Sequence, residues 1–192
     1  ATLVVADGMP LVWASRLGGT PLPERVTGSS LIWSLSAGLS TDQRSIYVVG
    51  GDTASIARRA ATRLAETNPG LRVAGHVSPP YGFDRDNGKL DALCDGVVDA
   101  RPDLVFVGVG FPKQERVISR LREQLPGAWF LGCGMAVNWV AGLHHRAPVW
   151  MQRTGLEWTH RLCSEPRRLA QRYLRHDAPY ALRLLARTAT KR

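Results

Sequence analysis

The stretch Pro102–Arg116, PDLVFVGVGFPKQER, constrains the chain more than any other. Leu104–Val107 is apolar without polar alternation, the pattern of a strand buried on both faces. Gly108 and Gly110 end the strand, where backbone can approach a ligand closely. Phe111-Pro112 turns the chain, and Lys113-Gln114-Glu115 opens a helix with Val117, Ile118 and Leu121 on one side. In an open parallel sheet, ligands sit at the carboxyl ends of strands, against helix N-termini. Lys113, Gln114 and Glu115 are therefore expected to face a crevice. The alternative is a plain strand-turn-helix whose polar residues are solvated.

The rest of the chain repeats the unit. Thr2–Ala6 reads as a buried strand, and Met9-Pro10 starts a helix that Gly18-Gly19 stops. Ser29 or Ser30 can cap a short helix bearing Leu31, Ile32 and Leu35. Ser45–Val49 is a strand ending in Gly50-Gly51-Asp52-Thr53; a helix with Ile56, Ala60 and Leu64 on one face follows, to about Asn68. Leu71–His76 is the next strand, Ser78–Gly88 a loop, and Lys89–Ala100 a helix. Ala128–Leu131 is the last strand, ending in Gly132-Cys133-Gly134 before a short helix with Asn138. This alternation predicts an α/β, Rossmann-like fold: a mostly parallel sheet with helices on both faces. Several strands end in glycine (Gly50-Gly51, Gly108/Gly110, Gly132/Gly134). Either these are close packing points, or they line a site for a phosphate- or nucleotide-sized ligand.

After Gly142 the character changes. From His144 onward, eleven Lys and Arg residues stand against Glu157, Glu165 and Asp177, so this segment carries +8 of the chain's +9. Trp150, Trp158, Tyr173 and Tyr180 punctuate two or three amphipathic helices. The expected division is a core over residues 1–143 and a basic helical appendage over residues 144–192. The charge asymmetry calls for an anionic partner: nucleic acid, an anionic membrane surface or a phosphorylated substrate. The 192 residues suffice for one α/β domain and a modest appendage. No apolar run approaches the ~20 residues of a spanning helix. Cys94, Cys133 and Cys163 form no CxxC pair, which argues against a zinc site or a disulfide framework and for a reducing cytoplasm.

The candidate chemistry sits in few places. Asp7 follows the first predicted strand and is either a general base facing the crevice or an N-cap. Asp84-Arg85-Asp86 has the DxD form that can hold a divalent metal, but lies beside Asn87-Gly88 turn chemistry. Clustered arginines could neutralise a diphosphate in a metal's place. His144-His145 is a weak metal signal. Gly50-Gly51-Asp52-Thr53 lacks the dinucleotide fingerprint, and no GxxxxGK[ST] is present, which excludes P-loop chemistry.

Taken together, VVADGMPLVWASRL, IYVVGGDTASIARRAA, SPPYGF, PDLVFVGVGFPKQERVI, GCGMAVNWVAGLHHRAP and WMQRTGLEWTHRLCSEPRRLAQRYL resemble the WecG/TagA/CpsF glycosyltransferases, family 26, in the family's order and from Val4 to about Tyr180. The resemblance implies inverting, metal-independent transfer without a cofactor. A sugar, typically N-acetylmannosamine or its uronic acid, would pass from a UDP-sugar donor to a polyprenyl-diphosphate-linked sugar acceptor. The setting implied is the cytoplasmic face of the membrane, in teichoic acid, common antigen or exopolysaccharide synthesis. The appendage would bind the anionic membrane surface and complete the active site, which accounts for the basic aromatic tail better than nucleic acid does. By motif, Asp7 resembles the general base and Gln114 a substrate-contacting catalytic residue. Arg161 and Arg168 resemble appendage arginines that stabilise the leaving diphosphate, with Arg172 beside them. Gly50, Gly51, Gly108, Gly110, Lys113, Glu115, Gly134 and Asn138 are the expected substrate-binding residues.

Two departures stand out. Relatives carry several tens of residues before the ADG motif, so a strand and a wall of the site are expected to be missing from a chain starting at Ala1. Where relatives often have Phe-Asp, this chain has Val137-Asn138, and Asn cannot carry charge, which bears on the donor sugar. Relatives also suggest a homo-oligomer. The competing classes are a basic nucleic-acid-binding module and a dinucleotide-dependent oxidoreductase, the latter opposed by the absent fingerprint.

Overall fold

The structure is a computed structural model that describes residues 3–143, 147–164 and 166–190, with the side chains of Arg153, Arg168 and Arg172 outside the description. In chain order the elements are α1 (Met9–Leu17), α2 (Gly28–Thr41), β1 (Ser45–Gly50), α3 (Ala54–Thr67), β2 (Arg72–Val77) and α4 (Asn87–Ala100). Then come β3 (Leu104–Gly108), α5 (Lys113–Gln124), β4 (Trp129–Gly132), α6 (Ala136–Val140), α7 (Val149–Thr154), α8 (Glu157–Ser164), α9 (Pro166–Arg172) and α10 (Ala178–Ala189). Two compact units result: Gly28–His145, and Ala1–Thr27 with Arg146–Arg192.

The first unit is the predicted Rossmann-like layer. Its four strands are all parallel, in the order β2-β1-β3-β4. The apolar runs of β1 and β3 divide by pleat, as successive side chains of a strand must. Ile46, Val48, Leu104 and Phe106 pack with Ile32, Ala60, Leu64 and Val140 of α2, α3 and α6. Tyr47, Val49, Val105 and Val107 pack with Leu90, Val97, Val117 and Leu121 of α4 and α5 on the other face. Thr53 caps α3 by accepting from the Ile56 N–H, and Asp86 caps α4 by accepting from the Lys89 N–H.

Asp103 fixes the amino ends of the strands. Its carboxylate accepts from the Ser45 N–H and hydroxyl, each at 2.7 Å, and from Arg44 Nη1 at 2.9 Å. Its carbonyl accepts from the Trp129 N–H at 2.9 Å. One residue thus joins β1, β3 and β4.

The second unit is helical. α1 packs against α10, where a Cβ on Gly18 would lie 3.1 Å from Thr188 Cγ2. Gly155, past the end of α7, lies against Met9 and Trp13 of α1. The Arg25 guanidinium and the buried Glu157 carboxylate at the start of α8 pair at 2.6 Å. The 27 residues before α2 therefore group with the basic tail, not with the sheet.

Three sequence expectations are corrected. Thr2–Ala6 is not a buried strand: among the described residues Leu3 and Val4 are exposed and in no strand. An apolar run becomes a strand only with a neighbour to pair with, and the backbone bond described here is one from the Val26 N–H to the Ala6 carbonyl. The helix expected to follow a Ser29 or Ser30 cap begins at Gly28 and runs to Thr41. Gly28 packs closely on Cys133, where a Cβ would lie 3.2 Å from the Cys133 Cα. The Ser78–Gly88 loop contains a 3-10 turn, Phe83–Arg85, anchored by the buried Phe83.

The Asp103 contacts predict a pH effect. The Ser45 hydroxyl, its N–H and Arg44 hold the carboxyl below the ordinary carboxylate range, against an opposing push from burial. A lowered folded pKa stabilises above the unfolded value of about 3.9, and that stability is lost as pH falls through the folded pKa. Asp103→Asn should lower the urea midpoint at pH 7 and flatten its fall below about pH 4. The same acid dependence in both proteins would remove Asp103 from this role.

Candidate active site

The carboxyl edge of the sheet is where the order reverses, between β1 and β3, and ligand crevices form at such points. Gly50 and Gly108 are register partners there. A Cβ on Gly50 would lie 2.7 Å from the Gly108 carbonyl oxygen. One on Gly108 would lie 2.5 Å from Val137 Cγ2 and 2.7 Å from the Gly134 carbonyl oxygen. Gly51 likewise faces Ile56 and the Ala57 nitrogen. These three glycines meet protein. Gly110 and Gly134 differ: a Cβ would meet nothing within 4 Å, so they leave open space at the edge.

The loops above the strands are tied down. Ser78 Oγ donates to the Gly51 carbonyl at 2.6 Å. Asn138 is buried; its Oδ1 accepts from the Asp52 N–H at 3.2 Å and its Nδ2 donates to the Asp52 carboxylate at 2.8 Å. The Asn138 amide thus holds the loop after β1 and aims Asp52.

The Lys113–Arg116 turn follows Pro112, which stands at the N-cap position of α5. Lys113 Nζ lies 4.0 Å from Asp84 Oδ1 and 5.3 Å from the centre of the exposed Tyr81 ring. Arg116 Nη1 approaches the same carboxylate at 3.6 Å. Gln114 Nε2 donates to Glu115 Oε1 at 2.9 Å, while the buried Gln114 Oε1 has no partner among the described residues. The Gln114 amide lies over β4, where a Cβ on Gly132 would be 2.9 Å from Nε2. A buried carbonyl oxygen left unpaired costs free energy until a donor arrives. This amide can therefore receive a hydroxyl or N–H from a ligand.

The DxD triplet is divided between two tasks. Asp84 pairs with Lys113 and Arg116, and Asp86 caps α4. Among the described residues, no cluster of His, Cys, Asp or Glu could hold a metal. His144-His145 lies outside the described residues. Burial pushes the Cys94 thiol up to about 11 and the Cys133 thiol to about 12, so neither is a ready nucleophile.

Other predicted residues belong to the helical unit. Asp7 is exposed and directly precedes Gly8, which takes the N-cap position of α1. Arg161 lies half-buried in the last turn of α8. Arg168 and Arg172 lie on α9, with side chains outside the description. The sheet edge brings together Gly50, Gly51, Gly108, Gly110, Lys113, Gln114, Glu115, Gly134 and Asn138. Asp52, Ser78, Tyr81 and the Arg25–Glu157 pair were missed by sequence reasoning. Their partners are distant in sequence; only the turn composition around Asp52 and the SPPY run hinted at them.

The glycosyl transferase WecG/TagA/CpsF family model matches residues 1–192. The chain is similar to the N-acetylglucosaminyldiphosphoundecaprenol N-acetyl-beta-D-mannosaminyltransferase of Bacillus spizizenii, 31% identical over 168 residues, which are 88% of this chain and 63% of the relative. It is also similar to the proteins of that name from Bacillus subtilis, 29% identical over 86% of this chain and 62% of the relative, and Staphylococcus aureus strain MW2, 27% over 89% and 65%. The chain thus spans less than two thirds of the length of these relatives.

The glycine geometry can be tested by a pair of substitutions. Gly108→Ala should cost about 1–3 kcal/mol in urea unfolding, because the methyl strikes backbone. Gly96→Ala, inside α4 with nothing within 4 Å of the new methyl, should instead stabilise by up to about 1 kcal/mol. Equal effects would mean that the close approach of Val137 and the Gly134 carbonyl is not the constraint at Gly108.

Proposed function

The chain belongs to the glycosyl transferase WecG/TagA/CpsF family, and from that membership we propose that it transfers an N-acetylmannosamine-type sugar from a UDP-sugar to a polyprenyl-diphosphate-linked acceptor. The match over residues 1–192 carries this reading. The names of the relatives supply the acceptor class, N-acetylglucosaminyl-diphosphoundecaprenol, and the sugar moved.

In this mechanism an acceptor hydroxyl oxygen attacks the anomeric carbon of the donor. The bond from that carbon to the UDP oxygen breaks, and the configuration inverts. Asp7 takes the hydroxyl proton. Arg161 and Arg168, with Arg172 nearby, meet the negative charge that develops on the departing diphosphate. A well-placed donor of this kind is worth about 3–4 kcal/mol, a hundred- to a thousandfold in rate. Gln114 Oε1 accepts from the donor sugar or nucleoside, and Lys113 faces its phosphates. Asn138 acts through Asp52 as a positioning residue.

The site works at a membrane surface. Among the described residues no helix is long and apolar enough to cross a membrane. Trp150, Leu174, Tyr180 and Leu182 are exposed in the helical unit amid its basic residues. Apolar and basic groups on short helices suit peripheral attachment to an anionic leaflet, here on the cytoplasmic side.

A thermal-shift panel tests the donor class. UDP at a hundred times its dissociation constant should add about 2.7 kcal/mol of stability, and NAD none. A shift with NAD alone would sink the reading. Asp7→Asn should keep the UDP shift and lose at least a hundredfold in transfer; unchanged turnover would end its assignment as the base. Arg161→Ala should lower turnover about a hundredfold with little change in thermal midpoint. Gly132→Ala should displace the Gln114 amide and raise the UDP-sugar KM, leaving stability within about 0.5 kcal/mol. An unaltered KM would take Gln114 out of the site.

A further inference from the structure

The outer face of α3 carries Arg58, Arg59 and Arg63. With Thr62, Glu66 and Ala141 they line an open cleft of about 390 Å³ beside the end of α6. Two of the guanidinium groups converge above Gly142. A Cβ built there would lie 3.1 Å from Arg63 Nη1 and 3.6 Å from Arg59 Nη2. Like charges this close repel, yet among the described residues none of the three arginines forms an ion pair. Glu66 lines the cleft without reaching them at ion-pair distance.

The arrangement is also held in place. Arg63 Nη1 donates to the Val140 carbonyl at 3.1 Å, and its guanidinium lies 6.0 Å from the centre of the Trp33 ring. Arg59 is exposed and its side chain makes no hydrogen bond among the described residues, so its donors remain available at the mouth. One arginine is positioned, a second is free beside it, and the missing Cβ of Gly142 lets both approach the turn. An anion entering here relieves the repulsion and gains charge-assisted bonds in the planar fork geometry of arginine.

We propose that this cleft binds a phosphate-bearing anion through Arg59 and Arg63, with Arg58 and the Thr62 hydroxyl at its rim. Inorganic diphosphate and an anionic phospholipid headgroup share that chemistry. None of these residues has a part in the proposed transfer, so the inference stands or falls separately from that reading.

The test uses the whole chain and two exposed substitutions, Arg59→Ala and Thr62→Glu, the second bringing a carboxylate into the cleft. Titration calorimetry with inorganic diphosphate should show a binding event that weakens at least tenfold in both variants, with thermal midpoints unchanged. Sedimentation with phosphatidylglycerol vesicles, against phosphatidylcholine vesicles, forms the second arm. Loss in the diphosphate arm alone identifies a soluble phosphate group as the occupant. Loss in the vesicle arm alone identifies a lipid headgroup. Wild-type behaviour of both variants in both arms overturns the proposal.

Discussion

The close approach of β1 and β3 at their carboxyl ends governs the sheet unit. Gly50 and Gly108 pair in register with no room for a methyl on either. That approach lets Val137 and the Gly134 carbonyl settle on Gly108, drawing the start of α6 over the strand ends. From there Asn138 reaches Asp52, and Ser78 reaches the Gly51 carbonyl. At the opposite edge Asp103 ties β1, β3 and β4 together. The strands are pinned at both ends, and their carboxyl ends leave open space at Gly110 and Gly134.

Legibility in the sequence followed the range of the interactions. β1 and β3 were readable because burial on two faces demands an unbroken apolar run, and Ile46–Val49 and Leu104–Val107 have it. The α3 face was readable because Ile56, Ala60 and Leu64 repeat at helical spacing. The glycines were readable as a group but not in kind. Gly108 and Gly110 are two residues apart, yet one is packed and the other open. What separates them is Val137, which no local rule connects to either.

The same limit explains the rest. Thr2–Ala6 has a strand's composition, but composition cannot supply a pairing partner. Asn138 and Asp52 are 86 residues apart, and Arg25 and Glu157 are 132 apart. Such pairs leave no periodic trace. The Arg25–Glu157 pair matters because burial makes a lone charge costly while a matched pair can be tolerated. It links the segment before α2 to the start of α8, which is why a boundary drawn from tail composition alone does not reveal that grouping.

Burial also narrows the chemistry. Cys133 stands where β4 delivers the chain to the site edge, a natural position for a nucleophile. Its thiol is pushed up to about 12, so at neutral pH almost none is thiolate, and only the thiolate attacks. Covalent catalysis through this cysteine, which would need two displacements and retain configuration, therefore has no driving group. The edge also holds the Asp52 carboxylate fixed by Asn138, an amide with one unsatisfied oxygen, an ammonium shared with Asp84, and open backbone. Such groups bind and orient a polar ligand without bonding to it. The single displacement proposed above, with the attacking oxygen supplied by the acceptor and the leaving charge met by arginine, would ask nothing more of them.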